Sequence, residues 1–531
     1  MQMQKNVLNL NIGLLGHVDS GKTSLAKALS EVASTASFDK NPQSQQRGIT
    51  LDLGFSALQL DLPEKLKCSD HNWNRLQYTF VDCPGHASLI RTIIGGAQII
   101  DIMILVIDVS KGIQTQTAEC LVIGELTCSK IIVALNKIDT LEEEKRFAVV
   151  GKMRKGISKV LEKTIFAGAP VIEISANAKL NLDKLIEALK DISCIPERDV
   201  KAPFLFAVDH CFAIRGQGTV CTGTVLQGQI NVNDDVEISK LKIIKKVKSI
   251  QMFKQNQSVA QQGDRIGISI TQFDPKQLER GLLCKPGYVM NVYAAVIRLT
   301  RIKYYNRLIR NKAKFHISCG HETALATVTL FKGTQCGFDE KLQYEYLEEY
   351  GHDSVIESTQ AVFALLEFEQ QIQVAPNALL LGSKLDTDIQ TNQCRLAFFG
   401  RLELCSTDKD YISTFLPRLK IYKEKSKIGT IQRVVNEFEL IATGLFKKDG
   451  NNRQDFLGFR IRLSTGEWGV IEDTFGASSK VKLRFMKPLA KETLDRLQQK
   501  NKLGPQEPVQ VELKFKKFFS KKCITSNKVI Q

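Results

Sequence analysis

A glycine-rich stretch near the start of the chain has the residue spacing with which many proteins hold phosphate groups. Residues 16–23 read Gly-His-Val-Asp-Ser-Gly-Lys-Thr, which fits the pattern G-x-x-x-x-G-K-[ST]. The backbone N–H groups of such a loop surround the α- and β-phosphates, and the start of the next helix adds partial positive charge. Lys22 would reach the β- and γ-phosphates, and Thr23 would hold Mg²⁺. The residues predicted to contact phosphate are Asp19, Ser20, Gly21, Lys22, Thr23 and Ser24.

Four shorter motifs follow this loop, at residues 47–50, 82–86, 136–139 and 175–176. In order, they read Arg-Gly-Ile-Thr, Asp-Cys-Pro-Gly-His, Asn-Lys-Ile-Asp and Ser-Ala. Each motif supplies a different contact that a guanine nucleotide, its Mg²⁺ or its γ-phosphate requires. The ordered set therefore predicts a switch that is driven by GTP.

The motifs at 47–50 and 82–86 predict a response to the γ-phosphate. Thr50 offers a second oxygen to Mg²⁺, and Asp82 approaches the metal through a water molecule. The N–H group of Gly85 donates to the γ-phosphate. Loss of that phosphate on hydrolysis releases both segments, which converts bond cleavage into a change of shape.

The motifs at 136–139 and 175–176 predict selection of the base. Asn136 and Asp139 choose guanine, because a carboxylate can accept hydrogen bonds from its ring N–H and its exocyclic amine. Adenine lacks both donors and would leave a buried acceptor unpaired, at a cost of about 1–3 kcal/mol. Lys137 can lie over the base, and the backbone of Ser175 and Ala176 can donate to the guanine oxygen. The predicted ligands are GTP and GDP.

His86 is the candidate catalytic residue. A lone histidine is more often structural, but this one directly follows the glycine that contacts the γ-phosphate, where a side chain can orient the attacking water. The alternative is a non-catalytic RNA-binding scaffold that holds GTP only as a structural ligand. Such a scaffold has no need of a water-orienting side chain, so the chain is predicted to be a GTPase.

The elements that must position these motifs change in kind along the chain. From Val7 to about Asp191, short apolar runs alternate with helical stretches, as in a mostly parallel sheet covered by helices. Beyond a linker with two prolines, short strands broken by glycines predict antiparallel barrels. The predicted fold is multidomain, with an α/β P-loop GTPase domain over 1–198, antiparallel β-barrels over 199–290 and 291–415, and a small β-rich domain over 416–531.

Composition limits the classes of protein to which the chain can belong. The chain has 531 residues, 43% of them hydrophobic, and the apolar run from Ile102 to Ile107 is far shorter than the roughly 20 residues that span a bilayer. Neither a secretory signal nor a transit peptide is recognisable. The 13 cysteines include no C-x-x-C pair, which favours reduced thiols in the cytoplasm. No membrane partner is expected.

Charge is distributed unevenly along the chain. The formal net charge is +16, and residues 418–531 carry 25 Lys and Arg against 12 Asp and Glu. An excess of this size over one domain favours a polyanionic partner, with a solvated basic face as the alternative. Residues 338–357 hold seven acidic residues and three tyrosines without a clear period, so we interpret them as a loop insertion in the second barrel.

Longer segments around the motifs resemble those of a known family. Residues 34–40, 47–55 and 87–97 look like the eukaryotic selenocysteine-specific elongation factors, a branch of the translational GTPases that deliver aminoacyl-tRNA. The resemblance recurs at 208–212, 216–220, 272–275, 314–317 and 415–419. It implies a monomer that binds selenocysteinyl-tRNA and delivers it to the ribosome at UGA codons, hydrolysing GTP on delivery. It also implies that the C-terminal domain serves the selenocysteine-insertion RNA element or a protein bound to it.

The same resemblance implies further roles beside the nucleotide. Val18 and Ile49 would form an apolar gate next to His86. Asp19 would help to hold a monovalent cation. These roles are carried over from the family to the matching positions of this chain.

Asp209, His210 and Arg265 lie in segments that match the selenocysteine pocket of that family. A selenol is more acidic than a thiol, so at neutral pH it should be an anion, whereas serine on the same tRNA is neutral. A pocket that rejects serine therefore needs positive charge, and one charge-assisted contact is worth about 1.5–3 kcal/mol. Without the resemblance, Arg265 would be interpreted as an ordinary charge on the barrel surface.

Two other tRNA carriers share the switch motifs. A general elongation factor carries all standard aminoacyl-tRNAs, but the additional basic domain after residue 419 argues against it. The γ subunit of the initiator-tRNA carrier usually has paired cysteines between its switch regions, where this chain has only Cys68 and His71. Delivery of selenocysteinyl-tRNA is therefore the favoured function.

Overall fold

Two compact units make up the computed structural model of the chain. It describes residues 7–30, 32–33, 54–67, 73–83, 99–214, 218–253, 255–320, 322–333, 337–352, 354, 356–386, 394–446, 454–475, 480–498, 508–519 and 529–531. The first unit comprises Met1–Val328, Gly351–Asp353 and Leu366–Thr407. The second comprises Thr329–Tyr350, Ser354–Leu365 and Asp408–Gln531. No helix within the described residues is long and apolar enough to cross a membrane.

The first unit begins with a sheet covered by helices. Its strands are β1 (Val7–Leu15), β2 (Val32–Ala33), β3 (Gly54–Asp61), β4 (Arg75–Asp82), β5 (Ile102–Asp108), β6 (Lys130–Asn136) and β7 (Val171–Glu173). The helices are α1 (Lys22–Leu29), α2 (Thr115–Thr127), α3 (Glu143–Leu161) and α4 (Leu182–Ile192). The spatial order is β2-β3-β4-β1-β5-β6-β7, with β2 and β3 as an antiparallel edge on a parallel sheet. The predicted α/β domain is confirmed.

Helices pack on both faces of this sheet because its central strands are apolar on both sides. One apolar cluster joins strand residues to Leu25 of α1 and Leu185 of α4. The other joins them to Leu121 of α2 and Ile157 of α3. Since the central strands are parallel, their carboxyl ends meet at one edge, and ligands of such sheets bind at that edge. The phosphate loop and the end of β4 lie there, and Asp108 is level with Asn136.

An antiparallel barrel follows in the first unit. Its strands are β8 (Leu205–Ile214), β9 (Gly218–Gln227), β10 (Gln229–Asn231), β11 (Asp235–Ile238), β12 (Ile243–Met252), β13 (Gln255–Gln257), β14 (Val259–Gln261), β15 (Arg265–Ile270) and β16 (Gly281–Cys284). The spatial order is β11-β16-β8-β9-β15-β12-β13, and pairing of β11 with β12 closes the barrel. Alternate residues, including Phe206, Val236 and Ile268, fill its core.

A second antiparallel barrel follows the first along the chain. The strands in this part of the chain are β17 (Met290–Arg301), β18 (Ile309–Arg310), β19 (Lys314–Cys319), β20 (Glu322–Gly333), β21 (Tyr344–Tyr346), β22 (Glu349–Tyr350), β23 (Ala361–Val374), β24 (Leu379–Ser383) and β25 (Leu396–Ser406). The barrel has the order β19-β24-β25-β17-β23-β20 and is closed by pairing of β19 with β20. The two barrels predicted from the glycine-broken strands are therefore confirmed.

The C-terminal part of the second unit is a further barrel. It contains β26 (Ile421–Asn436), β27 (Glu439–Thr443), β28 (Arg460–Leu463), β29 (Trp468–Thr474), β30 (Val481–Phe485), β31 (Gln510–Phe518) and β32 (Val529–Ile530), with helices α5 (Tyr411–Thr414) and α6 (Lys491–Gln498). The order β26-β27-β30-β29-β28-β31 closes through pairing of β26 with β31. Leu440, Ile461 and Leu483 lie in its core. The predicted β-rich domain is confirmed.

The acidic segment 338–357 is more ordered than the loop interpretation implied. Within it, β21 pairs in parallel with β26, and Tyr344 lies opposite Ile421. The Tyr344 ring is buried and packs edge-on against Phe331 at 5.4 Å. The carboxylates of this segment bind basic residues of the same unit, since Glu340 lies 2.6 Å from Arg418 and Glu348 pairs with Lys423. The interpretation as a loop was therefore wrong for β21, because a buried tyrosine and charge pairing hold it as a strand.

A buried ion pair joins α2 of the sheet domain to the second barrel. Arg395 donates to Oε1 of Glu119 from its backbone N at 3.1 Å and from Nε at 3.0 Å. Its Nη2 donates to Oε2 of the same carboxylate at 2.7 Å. The two side chains are only 7% and 5% exposed. Removal of either partner would therefore leave a charge in the interior without compensation.

Arg395→Ala is expected to lower the free energy of unfolding by about 3–5 kcal/mol, because Glu119 would stay buried without its cation. The matched control is Arg75→Ala, since the Arg75–Asp61 pair is exposed and such pairs contribute about 0–1 kcal/mol. Urea denaturation followed by circular dichroism measures both variants. Equal midpoints for the two variants would show that the buried pair adds no stability.

Candidate functional site

The phosphate loop joins β1 to α1 at the carboxyl edge of the sheet. Gly21 caps α1 with a φ angle of 91° and no side-chain bond, so the first N–H groups of the helix are available to an anion. A Cβ atom at Gly21 would lie 2.2 Å from Nδ2 of Asn136, which excludes any larger residue. The Ser20 hydroxyl is buried and has no hydrogen-bond partner among the described residues. These features fit an anion such as phosphate.

Lys22 is folded over this loop. Its Nζ donates to the carbonyl oxygen of Gly16 at 3.1 Å and to that of His17 at 2.7 Å. Burial lowers the pKa of the Lys22 ammonium group below its ordinary value, while the Asp82 carboxylate acts in the opposite direction. A buried ammonium group is stabilised by an anion, so the position of Lys22 suits contact with phosphate oxygens.

Thr23 and Asp82 bring two oxygen ligands together. Oγ1 of Thr23, in the first turn of α1, donates to Oδ2 of Asp82 at 2.6 Å. A hydroxyl and a carboxylate are the hard oxygen donors that Mg²⁺ takes together with substrate phosphates and water. Within the parts of the chain that the structure describes, no cluster of three or more His, Cys, Asp or Glu could hold a metal ion. Thr23 and Asp82 therefore fit a metal ion that takes its other ligands from a nucleotide and water.

Asn136 connects two of the predicted nucleotide-binding segments. Its Nδ2 donates to the carbonyl oxygen of Ser20 at 2.8 Å, and its Oδ1 accepts from the N–H group of Ala176 at 3.0 Å. Beside Ala176, Oγ of Ser175 accepts from the N–H group of Ala178 at 3.0 Å. The side chain of Asn136 thus fixes the phosphate loop against the segment at 175–176.

Lys137 is held by a carboxylate that lies outside the sequence motifs. Its φ angle is 68°, and its Nζ lies 2.9 Å from Oδ2 of Asp108. Burial raises the pKa of Asp108, but hydrogen bonds from Ser110 and Lys137 outweigh it, so the net pKa is lower than usual. The available signal was the position of Asp108 at the end of a parallel strand, level with Asn136.

Of the remaining residues predicted around the nucleotide, the structure describes some and not others. Asp139 is exposed in a 3₁₀ turn, Ile138–Thr140, which follows Lys137. Val18 is half-buried in the phosphate loop, and Asp19 is exposed there with a φ angle of 60°. Ser24 is half-buried in the first turn of α1. The predicted residues that lie outside the described parts of the chain are Ile49, Thr50, Gly85 and His86.

A second candidate site lies where the first barrel meets the sheet domain. Nη1 of Arg265 donates to Oδ2 of Asp209, and the guanidinium lies 3.4 Å from the centre of the Phe55 ring. Arg265 is 5% exposed and Asp209 is 3% exposed. A bulge in β8 between Val208 and His210 takes Asp209 out of the regular strand register, which directs its carboxylate to Arg265. The interpretation of Arg265 as an ordinary surface charge is wrong.

Arg265 keeps unused hydrogen-bonding capacity in this position. Its Nη1 also reaches Oγ1 of Thr224 at 3.4 Å, but its Nη2 is buried without a hydrogen-bond partner among the described residues. An unpaired buried donor costs about 1–3 kcal/mol. An anion bound next to Nη2 would remove that cost. His210 follows Asp209 on β8 and is half-buried, so the structure brings Asp209 and Arg265 into contact and places His210 beside them.

A polar seam, formed by Asn9, Asn11, Asp101, Arg198 and Gly263, joins the same two domains. The Nδ2 atoms of Asn9 and Asn11 donate to the carbonyl oxygen of Gly263 at 2.7 and 2.9 Å. Oδ2 of Asp101 accepts from Arg198 at 2.7 Å and from the backbone of Asn11 at 2.8 Å. Sequence reasoning missed this seam. The signal was present, because alternate asparagines interrupt an otherwise apolar strand.

The sheet order, the phosphate loop and the position of Asn136 define a P-loop GTPase. Residues 8–194 match the family described as elongation factor Tu GTP binding domain, and residues 218–283 match elongation factor Tu domain 2. Residues 296–400 match the third domain of eukaryotic selenocysteine-specific elongation factors. Residues 417–522 match the C-terminal RIFT domain of the same factors.

Two curated relatives are similar over almost the whole chain. The selenocysteine-specific elongation factor of Mus musculus is 47% identical, over 96% of this chain and 97% of the mouse protein. That of Methanocaldococcus jannaschii is 32% identical, over 91% of this chain and 96% of its own length. The chain belongs to the family of selenocysteine-specific elongation factors.

Solved structures agree with this membership. The translation elongation factor SelB of Methanococcus maripaludis, in complex with the GTP analogue GppNHp, has a TM-score of 0.69 and 26% identity. The match covers 96% of this chain and 98% of that protein. The chain is thus a GTP-binding translational GTPase, as the motifs and the family resemblance together predicted.

Asn136→Ala is expected to weaken the binding of GDP and GTP by at least about tenfold, because Ser20 and Ala176 would each lose a buried hydrogen-bond partner worth about 1–3 kcal/mol. Titration with a fluorescent GDP derivative measures the Kd. The matched control is Asn256→Ala, whose side chain is exposed in β13. Unchanged GDP affinity in Asn136→Ala would contradict the bridging role.

Proposed function

We propose that the chain is a GTP-dependent translation elongation factor that binds selenocysteinyl-tRNA and delivers it to the ribosome for incorporation at UGA codons, with hydrolysis of GTP on delivery. Relatives named as selenocysteine-specific elongation factors, at 47% and 32% identity, support this function. The structural observation that carries it is the contact of Arg265 with Phe55, because this contact joins the candidate cargo pocket to the GTPase sheet.

The phosphate loop holds the phosphates of the nucleotide, and the two later segments hold its base. Asp19 to Ser24 surround the phosphates, with Lys22 on the β- and γ-phosphates. Asn136, Lys137 and Asp139, together with the backbone at 175–176, contact guanine. The bonds of Asn136 to Ser20 and Ala176 support this assignment, because they hold the phosphate-binding and base-binding segments at a fixed separation.

Thr23 would hold Mg²⁺ directly and Asp82 would hold it through water, and Thr50 would add an oxygen when GTP is bound. The adjacent oxygens of Thr23 and Asp82 support this donor set. The ion, when bound, neutralises charge on the phosphates. The backbone N–H of Gly85 contacts the γ-phosphate.

His86 orients the water that attacks the γ-phosphate, and Val18 and Ile49 form the apolar gate beside it. Asp19 helps to hold a monovalent cation, which suits its exposed carboxylate at the tip of the phosphate loop. The ribosome stimulates the reaction. Sequence position and family membership support these roles.

The cargo pocket consists of Asp209, His210 and Arg265. A selenolate would accept from the free Nη2 of Arg265, while Nη1 stays on Asp209, so that Asp209 orients the guanidinium without occupying all of it. A neutral serine hydroxyl could not match that charge-assisted bond. His210 adds a second donor beside the same position.

Access to this pocket is coupled to the nucleotide through β3 and β4. Asp82, the candidate metal ligand, is the cross-strand partner of Gly54, and Phe55 is the next residue. Phe55 covers the guanidinium of Arg265. Loss of the γ-phosphate would move this cover through β3 and β4, and the charged cargo would then be released.

The other regions supply the remaining partners. The GTP-binding domain over 1–198 is followed by the aminoacyl-pocket barrel over 199–290, the acceptor-arm barrel over 291–415 and the basic domain over 416–531. The family matches at 8–194, 218–283, 296–400 and 417–522 support this division. The last domain serves the selenocysteine-insertion RNA element or its binding protein. The protein acts as a monomer in the cytoplasm.

The alternative carriers have less support. The match of residues 417–522 to the C-terminal domain of eukaryotic selenocysteine factors argues against a general or an initiator-tRNA carrier. A non-catalytic scaffold is disfavoured because the chain belongs to a family of translational GTPases.

Arg265→Gln is expected to abolish the preference for selenocysteinyl-tRNA over seryl-tRNA, a loss of roughly ten- to hundredfold, because one charge-assisted contact of about 1.5–3 kcal/mol disappears. The assay measures GTP-dependent protection of the aminoacyl ester from hydrolysis. Lys248→Ala, which removes an exposed cation of the same barrel, is the control. Circular dichroism verifies folding. Equal protection of both esters by the unmodified protein would refute the specificity itself.

His86→Ala is expected to slow ribosome-stimulated, single-turnover GTP hydrolysis by about 10²–10⁴-fold, because the attacking water loses its orienting group. Its GDP affinity should not change, since His86 acts on the water. His352→Ala, at an exposed position, is the control. Hydrolysis at the normal rate in His86→Ala would place the catalytic group elsewhere.

A further inference from the structure

Two cysteines of the first barrel face each other across neighbouring strands. Cys211 of β8 and Cys221 of β9 are directly opposite in the antiparallel pair. Their Sγ atoms are 3.4 Å apart. Cys221 is fully buried in the barrel core, whereas Cys211 is half-buried and packs against that core. Both are free thiols, and they belong to no metal-binding cluster among the described residues.

The positions of the two residues suit a disulfide bond. Opposite residues in an antiparallel pair have Cα atoms about 4.5–5.5 Å apart, and disulfides bridge Cα atoms about 4.4–6.8 Å apart. The sulfur atoms need to approach from 3.4 Å to about 2.05 Å. Because the two residues are already paired across the strands, the bond can form without a change of strand pairing.

The two thiols differ in reactivity. The hydrogen bond from the Cys221 thiol lowers the pKa of Cys211 below its ordinary value. The same bond, together with burial, raises the pKa of Cys221. Because the thiolate is the reactive form and Cys211 is also the more exposed residue, Cys211 is the thiol that an oxidant meets first. Cys221 lies in position to attack the oxidised sulfur of Cys211.

We propose that Cys211 and Cys221 are an oxidation site at which a hydroperoxide produces an intramolecular disulfide. The Cys211 thiolate attacks one peroxide oxygen, the O–O bond breaks, and the leaving oxygen takes up a proton. Cys211 becomes a sulfenic acid. The Cys221 sulfur then attacks Sγ of Cys211, the S–O bond breaks, and the hydroxide leaves as water with the proton of Cys221. With hydrogen peroxide, two thiols and one peroxide give one disulfide and two waters.

The disulfide would tie β8 to β9 at the residue after His210. It would restrict the strand that also carries the bulge at Asp209. A thiol reductant would restore both cysteines. The oxidation site itself does not depend on which cargo the barrel binds.

Peptide mapping of the full chain tests this site directly. The protein is treated with hydrogen peroxide, its remaining thiols are alkylated, and it is digested with trypsin without reduction. Arg215 lies between the two cysteines, so trypsin places Cys211 and Cys221 on separate peptides. We expect mass spectrometry to find these two peptides linked, and dithiothreitol to separate them.

Single substitutions distinguish the roles of the two sulfurs. Cys211→Ser and Cys221→Ser should each abolish the linked pair, and Cys221→Ser should accumulate a sulfenic acid at Cys211 that dimedone traps. Cys194→Ser, which removes an exposed thiol, should leave the linked pair unchanged. Circular dichroism and GDP binding confirm that each variant is folded. Oxidation of Cys194 without a link between Cys211 and Cys221, or a link from Cys211 to a different cysteine, would overturn the proposal.

Discussion

Polar groups that leave water must find partners inside the protein, and this constraint determines how the first barrel lies against the GTPase sheet. The carbonyl oxygen of Gly263 accepts from Asn9 and Asn11, and Asp101 holds Arg198. The two bonds to Gly263 cross between the domains and are directional, so they favour one arrangement where an apolar contact would permit sliding. Arg265 follows Gly263 closely in the chain, and the same arrangement therefore sets its guanidinium on Phe55.

The candidate nucleotide site and the proposed cargo pocket are linked by a short path through the sheet. Thr23 contacts Asp82 at the end of β4, Asp82 is opposite Gly54 on β3, and Phe55 follows Gly54. The path consists of a hydrogen bond, a strand pairing, a peptide bond and a ring contact, and it ends at Arg265.

Charge in the second unit is partly balanced within the unit. The acidic residues Glu340 and Glu348 bind Arg418 and Lys423 at the start of the C-terminal barrel. On the barrel itself, Glu472 binds both Lys482 and Arg484. A high count of lysine and arginine thus overstates the charge that is available to a polyanion. The acidic segment, interpreted from its sequence as a loop, contributes the ion pairs of Glu340, Glu345 and Glu348 to this balance.

The sequence alone determined features that depend on consecutive residues or on a simple period. The phosphate loop wraps one anion with neighbouring residues, and the alternation of apolar runs with helical stretches follows from which faces are buried, so both were predictable. Tertiary structure decided contacts between distant segments, such as Asp108 with Lys137 and Phe55 with Arg265. These contacts depend on strand order and register, and a shift of one residue in register moves a side chain to the opposite face. The spacing of residues along the chain does not indicate which strand order and register are adopted.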